Sequence, residues 1–201
     1  LIFVLFNVIA LIYQKSHTLK KKIKIPPLSI IVATDNAGGF GKDGKIPWNI
    51  PEDMKHFKEI TTGGICIMGR KTHEDMLNMV VARKEKAGDT TIISDILPNR
   101  SSYVVTSNNK YDAVGAKNTT GIRQVIETLD DNDHRRIFII GGYRMFIEGL
   151  SWTNRIHMTI VKNKHFDCDK KFPIEVLDKQ YKITEARETE ELYFVTYQRI
   201  R

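Results

Sequence analysis

Between Ile46 and Phe57 the chain reads Ile-Pro-Trp-Asn-Ile-Pro-Glu-Asp-Met-Lys-His-Phe, which sets the carboxylate of Asp53 beside apolar and aromatic residues. Pro51 suits the first turn of a helix, where its missing N–H leaves nothing unpaired. Asn49 or Ile50 precedes it as the cap, and Asn is the better capping residue. On such a helix Asp53 and Phe57 share a face. A carboxylate and a ring so placed can hold a flat, basic heterocycle, one by hydrogen bonds to its N–H edge and the other by packing on its plane. The plainer reading is an acid favoured at a helix N-terminus by the peptide dipoles.

Three strand-end turns offer a second chemistry. Ile140-Gly141-Gly142-Tyr143-Arg144 follows an apolar strand and opens a helix. Its glycines let the main chain approach a phosphate, and a helix N-terminus favours negative charge. The pattern is not Gly-x-Gly-x-x-Gly, and a sharp strand-to-helix turn alone would select the same glycines. Gly69-Arg70-Lys71-Thr72 repeats the arrangement with two cations, and Thr72 can both cap a helix and donate a hydrogen bond. Thr106-Ser107 adds small hydroxyl donors at a third strand end. Open parallel sheets bind ligands beyond the C-terminal ends of their strands. Taken with the acid-aromatic window, the three turns favour a phosphorylated cofactor beside a flat substrate. A nucleophile elbow, a His-Glu-x-x-His helix and a Gly-Lys-Ser/Thr loop are all missing. His56 and His73 read as exposed helix residues. Asp167, Cys168 and Asp169 read as a polar turn without a third converging ligand, so no metal is expected.

The elements that must position these residues alternate. Strands are expected over 28–34, 64–69, 101–106, 136–141, 155–161 and 192–198, with short additions at 112–115 and 90–93. Helices are expected from Glu52 to Ile60, from Thr72 to Ala82, after a Thr120 cap through Leu129, and from about Arg144. Asp35 to Lys45 carries four glycines and reads as a loop able to bend around a ligand. Arg83 to Asp89 is charged and exposed, inside a polar rim insertion from Asn78 to Ile96. The fold class expected is α/β: a single-domain three-layer sandwich whose central sheet is mixed and mostly parallel, with an antiparallel C-terminal edge.

The 201 residues suffice for one sizeable core. The net charge of +7 favours anionic partners, but Lys15, Lys20, Lys21, Lys22 and Lys24 supply much of it, so it argues weakly for a nucleic-acid surface. The two cysteines, Cys66 and Cys168, lie far apart, which fits a reducing compartment and a cytoplasmic location better than a disulfide scaffold. Residues 1–25 divide into an apolar run, interrupted by Asn7, and a basic linker. The run is short for a bilayer span, so it reads as an extension, an artefact, or an anchor or targeting piece at a membrane surface. Residues 26–201 form the domain.

The chain resembles dihydrofolate reductases from about Leu28 to Arg199. The matching pieces occur in family order: Ile31-Val-Ala33, Gly41, Ile46-Pro-Trp-Asn49, Glu52-Asp53, Phe57, Ile67-Met-Gly-Arg-Lys-Thr72, Leu97-Pro-Asn-Arg100, Ile140-Gly-Gly142 and Thr159. The resemblance implies NADPH as cofactor and dihydrofolate as substrate. It gives Asp53, Trp48 and Thr159 catalytic roles. It places Ile31, Val32, Ala33, Met54, Phe57, Met76 and Ile140 around the substrate, with Arg100 on its glutamate carboxylate. Around the cofactor it places Ala33, Gly41, Ile46, Gly69, Arg70, Lys71, Thr72, Thr106 and Ser107, then Gly141, Gly142, Tyr143, Arg144, Met145 and Phe146. It also implies a monomer, unless the domain is part of a bifunctional reductase–thymidylate synthase. Two positions depart from the family pattern: His73 stands where an aromatic or small residue is common, and Phe146 replaces a frequent Tyr. The competing readings are a related-fold pyrimidine reductase of riboflavin synthesis and a basic nucleic-acid-binding domain.

Overall fold

The computed structural model describes residues 27–200 apart from 131, 163 and 164, so the apolar run and basic linker of residues 1–25 lie outside the described residues. Strand β1 (Leu28–Asp35) carries an apolar run from Ile30 to Ala33 and is buried on both faces as central parallel strands are. It runs between β6 (Ile137–Gly141) and β7 (Thr153–Val161), parallel to both. On the far side of β6 lie β3 (Ile65–Gly69), β4 (Ser101–Val105) and β5 (Lys117–Thr119), all parallel. Beyond β7, β10 (Leu192–Arg199) and β9 (Tyr181–Glu188) pair antiparallel. The sheet order is therefore β5-β4-β3-β6-β1-β7-β10-β9, mostly parallel with the antiparallel C-terminal edge expected.

The two-residue period of the strands divides the core. Ile30, Val32, Ile65, Ile67, Ile137 and Ile139 pack with helices α3 (Ile122–Thr128), α4 (Tyr143–Leu150) and α5 (Glu175–Gln180). Ile31, Cys66, Met68, Phe138 and Ile140 face the other way, under α1 (Pro51–Thr61) and α2 (Arg70–Ala87). This is the three-layer sandwich. A separate two-stranded sheet joins β2 (Gly39–Gly41) to β8 (Lys170–Lys171).

Several local expectations change. Ile50, not Asn49, is the N-cap of α1, with Pro51 opening the helix as expected. Helix α2 begins at Arg70 behind Gly69, so Thr72 lies inside its first turn and is not its cap. That helix continues through Ala87, because Arg83 to Ala87 is charged but has no breaker before Gly88, which closes it at φ 64°. Gly121, not Thr120, is the N-cap of α3. Residues 90–93 and 112–115 form no strand; the added strand is β5, slightly later. Strand β9 was not anticipated, since it is exposed at every residue after Tyr181 and shows no alternation. His73 is fully buried rather than exposed, and His56 is half-buried with its ring centroid 4.3 Å from that of Phe194.

The loop between β4 and β5 returns to the sheet rim through Gly115, which accepts a hydrogen bond from Ile96 N–H at 2.9 Å. Gly115 has φ +69°, and a Cβ there would lie 2.5 Å from Ile96 N, a main-chain atom that cannot step aside. Gly115→Ala should therefore destabilise the domain by about 2 kcal/mol or more, read as a lower urea midpoint. Gly44→Ala meets no neighbouring atom and serves as the control for positive φ alone.

Candidate active site

The ladder between β1 and β6 stops at Ile30 opposite Ile139, while β1 continues beside β7 to Asp35. The two central strands therefore part after three paired residues and diverge toward their C-terminal ends. A sheet opens at such a point into a crevice flanked by main chain, and ligands bind there. Ile31 and Ile140 border the parting and turn their side chains toward α1 and α2. Val32 points into the opposite core, so only its main chain can reach a ligand.

Asp53 enters this crevice from the first turn of α1, anchored by its N–H to Ile50 O at 3.1 Å. Burial pushes its carboxyl above the usual range, against the Thr159 hydroxyl and the Trp48 indole N–H, which both stabilise the charge. Burial prevails even though a helix N-terminus favours the anion. Thr159 is buried on β7 in register with Ala33. Trp48 Nε1 is buried without a direct hydrogen bond, and its ring packs on Phe166 at 5.1 Å between centroids. An acid, a hydroxyl and an unspent N–H thus converge beside Ala33, exposed Met54 and half-buried Phe57.

Arg100 lies along the same apolar wall. Its Nε donates to Pro98 O and one terminal nitrogen donates to Thr61 Oγ1, each at 3.1 Å. Its guanidinium stands 5.8 Å from the Phe57 ring centroid. Both hydrogen-bonding partners are neutral, and among the described residues no carboxylate pairs with it. Met76, Phe57 and Leu97 pack on the same core cluster and form an apolar wall near this guanidinium.

The anion-binding features gather on the other side of the parting. Gly141 has φ +131° and its peptide bond to Gly142 is cis. A Cβ on Gly142 would lie 3.2 Å from Thr72 Oγ1, so the Thr72 hydroxyl borders this glycine turn and brings two strand ends together. Helices α2 and α4 start there with no side-chain cap and no acid in the first turn. Arg70, Lys71 and Arg144 stand in those turns instead, where cations oppose the helix dipole unless an anion is bound. These open N–H groups, cations and close-approach glycines fit a phosphorylated cofactor. Thr106 and Ser107 follow β4, and Thr106 Oγ1 already accepts from Asn108 N–H at 3.1 Å. Gly41 is buried in β2, while Ile46 and Tyr143 are exposed. Met145 and Phe146 are core residues behind the turn; Phe146 packs edge-on against Phe40 at 5.3 Å and Phe172 at 5.7 Å.

One functional candidate was missed. Asp35 is buried, and its carboxylate accepts from Ala37 and Gly39 N–H at 2.9 and 2.7 Å and from Phe166 N–H at 3.1 Å. It ties the glycine loop to the segment that supports Trp48. An acid placed directly before a glycine-rich loop was the available signal. Asp167 and Asp169 pair instead with Lys42 and Lys170, each at 2.8 Å.

A sequence model described as dihydrofolate reductase matches residues 27–86 and 89–199. The chain belongs to the dihydrofolate reductase family. The dihydrofolate reductase of Bacillus subtilis is 31% identical over 146 residues, covering 73% of this chain and 75% of that protein. The bifunctional dihydrofolate reductase-thymidylate synthase of Paramecium tetraurelia is 34% identical over 139 residues, covering 65% of this chain but only 25% of that longer protein. A solved dihydrofolate reductase from Enterococcus faecalis, complexed with NADP(H) and RAB-propyl, superposes with a TM-score of 0.66 at 28% identity. That match covers 86% of this chain and 96% of the other.

For this reductase family member, the raised Asp53 pKa has a cost to the fold. Ionising Asp53 is harder in the folded protein than in the open chain, so its contribution favours the fold below the ordinary carboxylate range and is lost as pH rises through the raised pKa. Asp53→Asn should therefore melt higher than the natural protein at pH 7 to 8, and the difference should close below about pH 4. Thermal denaturation across that range checks it; a variant that melts lower at pH 7 overturns it.

Proposed function

We infer that this chain reduces 7,8-dihydrofolate to 5,6,7,8-tetrahydrofolate with NADPH. One observation carries the reading at the level of residues: a half-buried carboxylate, Asp53, lies across the β1–β6 parting from a cationic glycine turn. NADPH, when bound, would supply the hydride for reduction at C6 of the substrate. Asp53 would hold the amidine-like edge of the pterin and set the electrostatics for protonation at N5 through water. Thr159 would share that hydrogen bonding, and Trp48 would direct its free N–H toward the same region. Ala33, Met54 and Phe57 would pack the pterin plane, while Ile31, Val32 and Ile140 would offer main-chain groups. Met76 would meet the middle ring. Arg100, poised beside neutral partners, would clamp the substrate's carboxylate with its planar fork.

On the cofactor side, Gly141, Gly142, Tyr143 and Arg144 would receive the phosphates, with Met145 and Phe146 fixing the turn from behind. Gly69, Arg70, Lys71 and Thr72 would hold further anionic groups, and Thr106 and Ser107 the adenosine end. Gly41 and Ile46 would close over the nicotinamide and exclude water. Residues 26–201 would constitute the catalytic domain, working as a cytoplasmic monomer or within a bifunctional chain. No nucleic-acid partner is proposed; trimmed residues 26–201 should bind none strongly. No helix among the described residues is long and apolar enough to cross a membrane. Any membrane contact would have to come from residues 1–25.

Purified protein should oxidise NADPH when given dihydrofolate; turnover of a pyrimidine ribose phosphate instead would overturn the assignment. Asp53→Asn should lower turnover by roughly a hundredfold or more near neutral pH, well beyond the effect of Asp75→Asn. Arg100→Lys keeps the charge and loses the fork, so KM for dihydrofolate should rise about tenfold or more while kcat changes less. The same variant should lose the preference for dihydrofolate over dihydropteroate, which lacks the glutamate tail. An unchanged preference would place the carboxylate contact elsewhere.

A further inference from the structure

The family match leaves His73 unexplained. It is a buried histidine on the helix that presents Arg70, Lys71 and Thr72. Both ring nitrogens are engaged by one loop, the segment after Thr106 and Ser107: Nδ1 meets Tyr111 Oη at 2.7 Å and Nε2 meets Val114 O at 2.9 Å. A carbonyl can only accept, so in the neutral ring Nε2 carries the proton and Nδ1 accepts from the Tyr111 hydroxyl. The histidine therefore reads the loop at two points and fixes the phenol's position. Tyr111 is held again from its main chain, where Asn118 donates to its carbonyl.

The Tyr111 ring has a second neighbour. The Arg70 guanidinium lies 6.0 Å from its centroid and pairs with Glu74 at 2.6 Å on the next turn of α2. Aromatic and carboxylate together hold the cation at the start of the helix. Strand order says what reaches this corner. A cofactor whose reacting end lies at the β1–β6 parting, and whose pyrophosphate meets the Gly141–Gly142 turn, continues past β3 toward β4. Its adenosine end then lies between the start of α2 and the loop after β4, where Arg70 and Tyr111 meet.

We propose that His73 and Tyr111 are positioning residues for cofactor choice: they set Arg70 against the adenosine ribose phosphate and so favour a 2′-phosphorylated dinucleotide over its unphosphorylated counterpart. The proposal rests on the cofactor placement given under Proposed function. Neither residue touches the reacting atoms; each acts through Arg70. Glu74 opposes an incoming phosphate by its charge, so the corner discriminates by geometry as well as by attraction.

Calorimetric titration with adenosine 2′,5′-bisphosphate and with adenosine 5′-monophosphate tests this without turnover. Tyr111→Phe keeps the ring but loses the hydrogen bond to His73. It should weaken bisphosphate binding roughly two- to tenfold and leave the monophosphate within error. Tyr111→Leu, which also loses the ring, should weaken the bisphosphate further. His73→Gln retains one donor and one acceptor and should recover selectivity that His73→Leu loses. Thermal melts identify any His73 variant that fails to fold, and the two Tyr111 variants then decide the question. Equal weakening of both ligands, or none, would overturn the proposal. A natural protein that prefers the bisphosphate but does not reduce dihydrofolate would overturn the assigned reaction and leave this role standing.

Discussion

The parting of β1 from β6 after Ile30 and Ile139 is the constraint on which the molecule's chemistry depends. A parallel sheet normally satisfies its main-chain groups by pairing along its length. Here β1 remains paired with β7 and β6 remains paired with β3, so each strand keeps one partner while their shared edge opens. The crevice consequently has rigid walls. Asp53 and Thr159 come from one side of it, and the Gly141–Gly142 turn comes from the other. No loop has to hold the two halves in register, because the buried Ile ladder already does.

Charge is distributed unevenly across that opening. On the acid side burial works against ionisation, and a hydroxyl and an indole N–H offset only part of the cost. On the glycine side, cations occupy helix starts where peptide dipoles already supply positive potential. Each arrangement disfavours the fold by itself, and each becomes favourable when a ligand of complementary charge fills the space. Arg100 follows the same logic with its neutral oxygen partners and adjacent ring.

The sequence made some of this visible for definite reasons. Pro51 and the apolar spacing after it marked α1, and glycine pairs at strand ends marked the turns. The central strands were legible because burial on both faces forces unbroken apolar runs such as Ile137 to Ile140. Strand β9 was not, because it is an edge strand whose outward residues obey no period. The length of α2 was hidden because its last turns, rich in Arg and Lys, lack an apolar stripe. Inside the site, Asp53 and the glycines announced themselves by type. His73 did not, since a histidine on a polar helix reads as exposed until Tyr111 and Val114 are brought to it by a loop 38 and 41 residues away. The same holds for Asp35, whose hydrogen bonds come from main-chain groups that every residue possesses.

The bond from Phe166 N–H to the Asp35 carboxylate spans 131 positions of sequence. Closing so long a stretch carries an entropic cost that must be met before the bond can form. The glycine loop after β1 therefore cannot reach its final arrangement while the chain is being extended through its first hundred residues. Helices α1 and α2 can form early from local interactions, but the loop must await the strand that brings Phe166 back beside Asp35. Topology of this kind slows folding, and it makes the loop after β1 depend on a segment far down the chain rather than on its own neighbours.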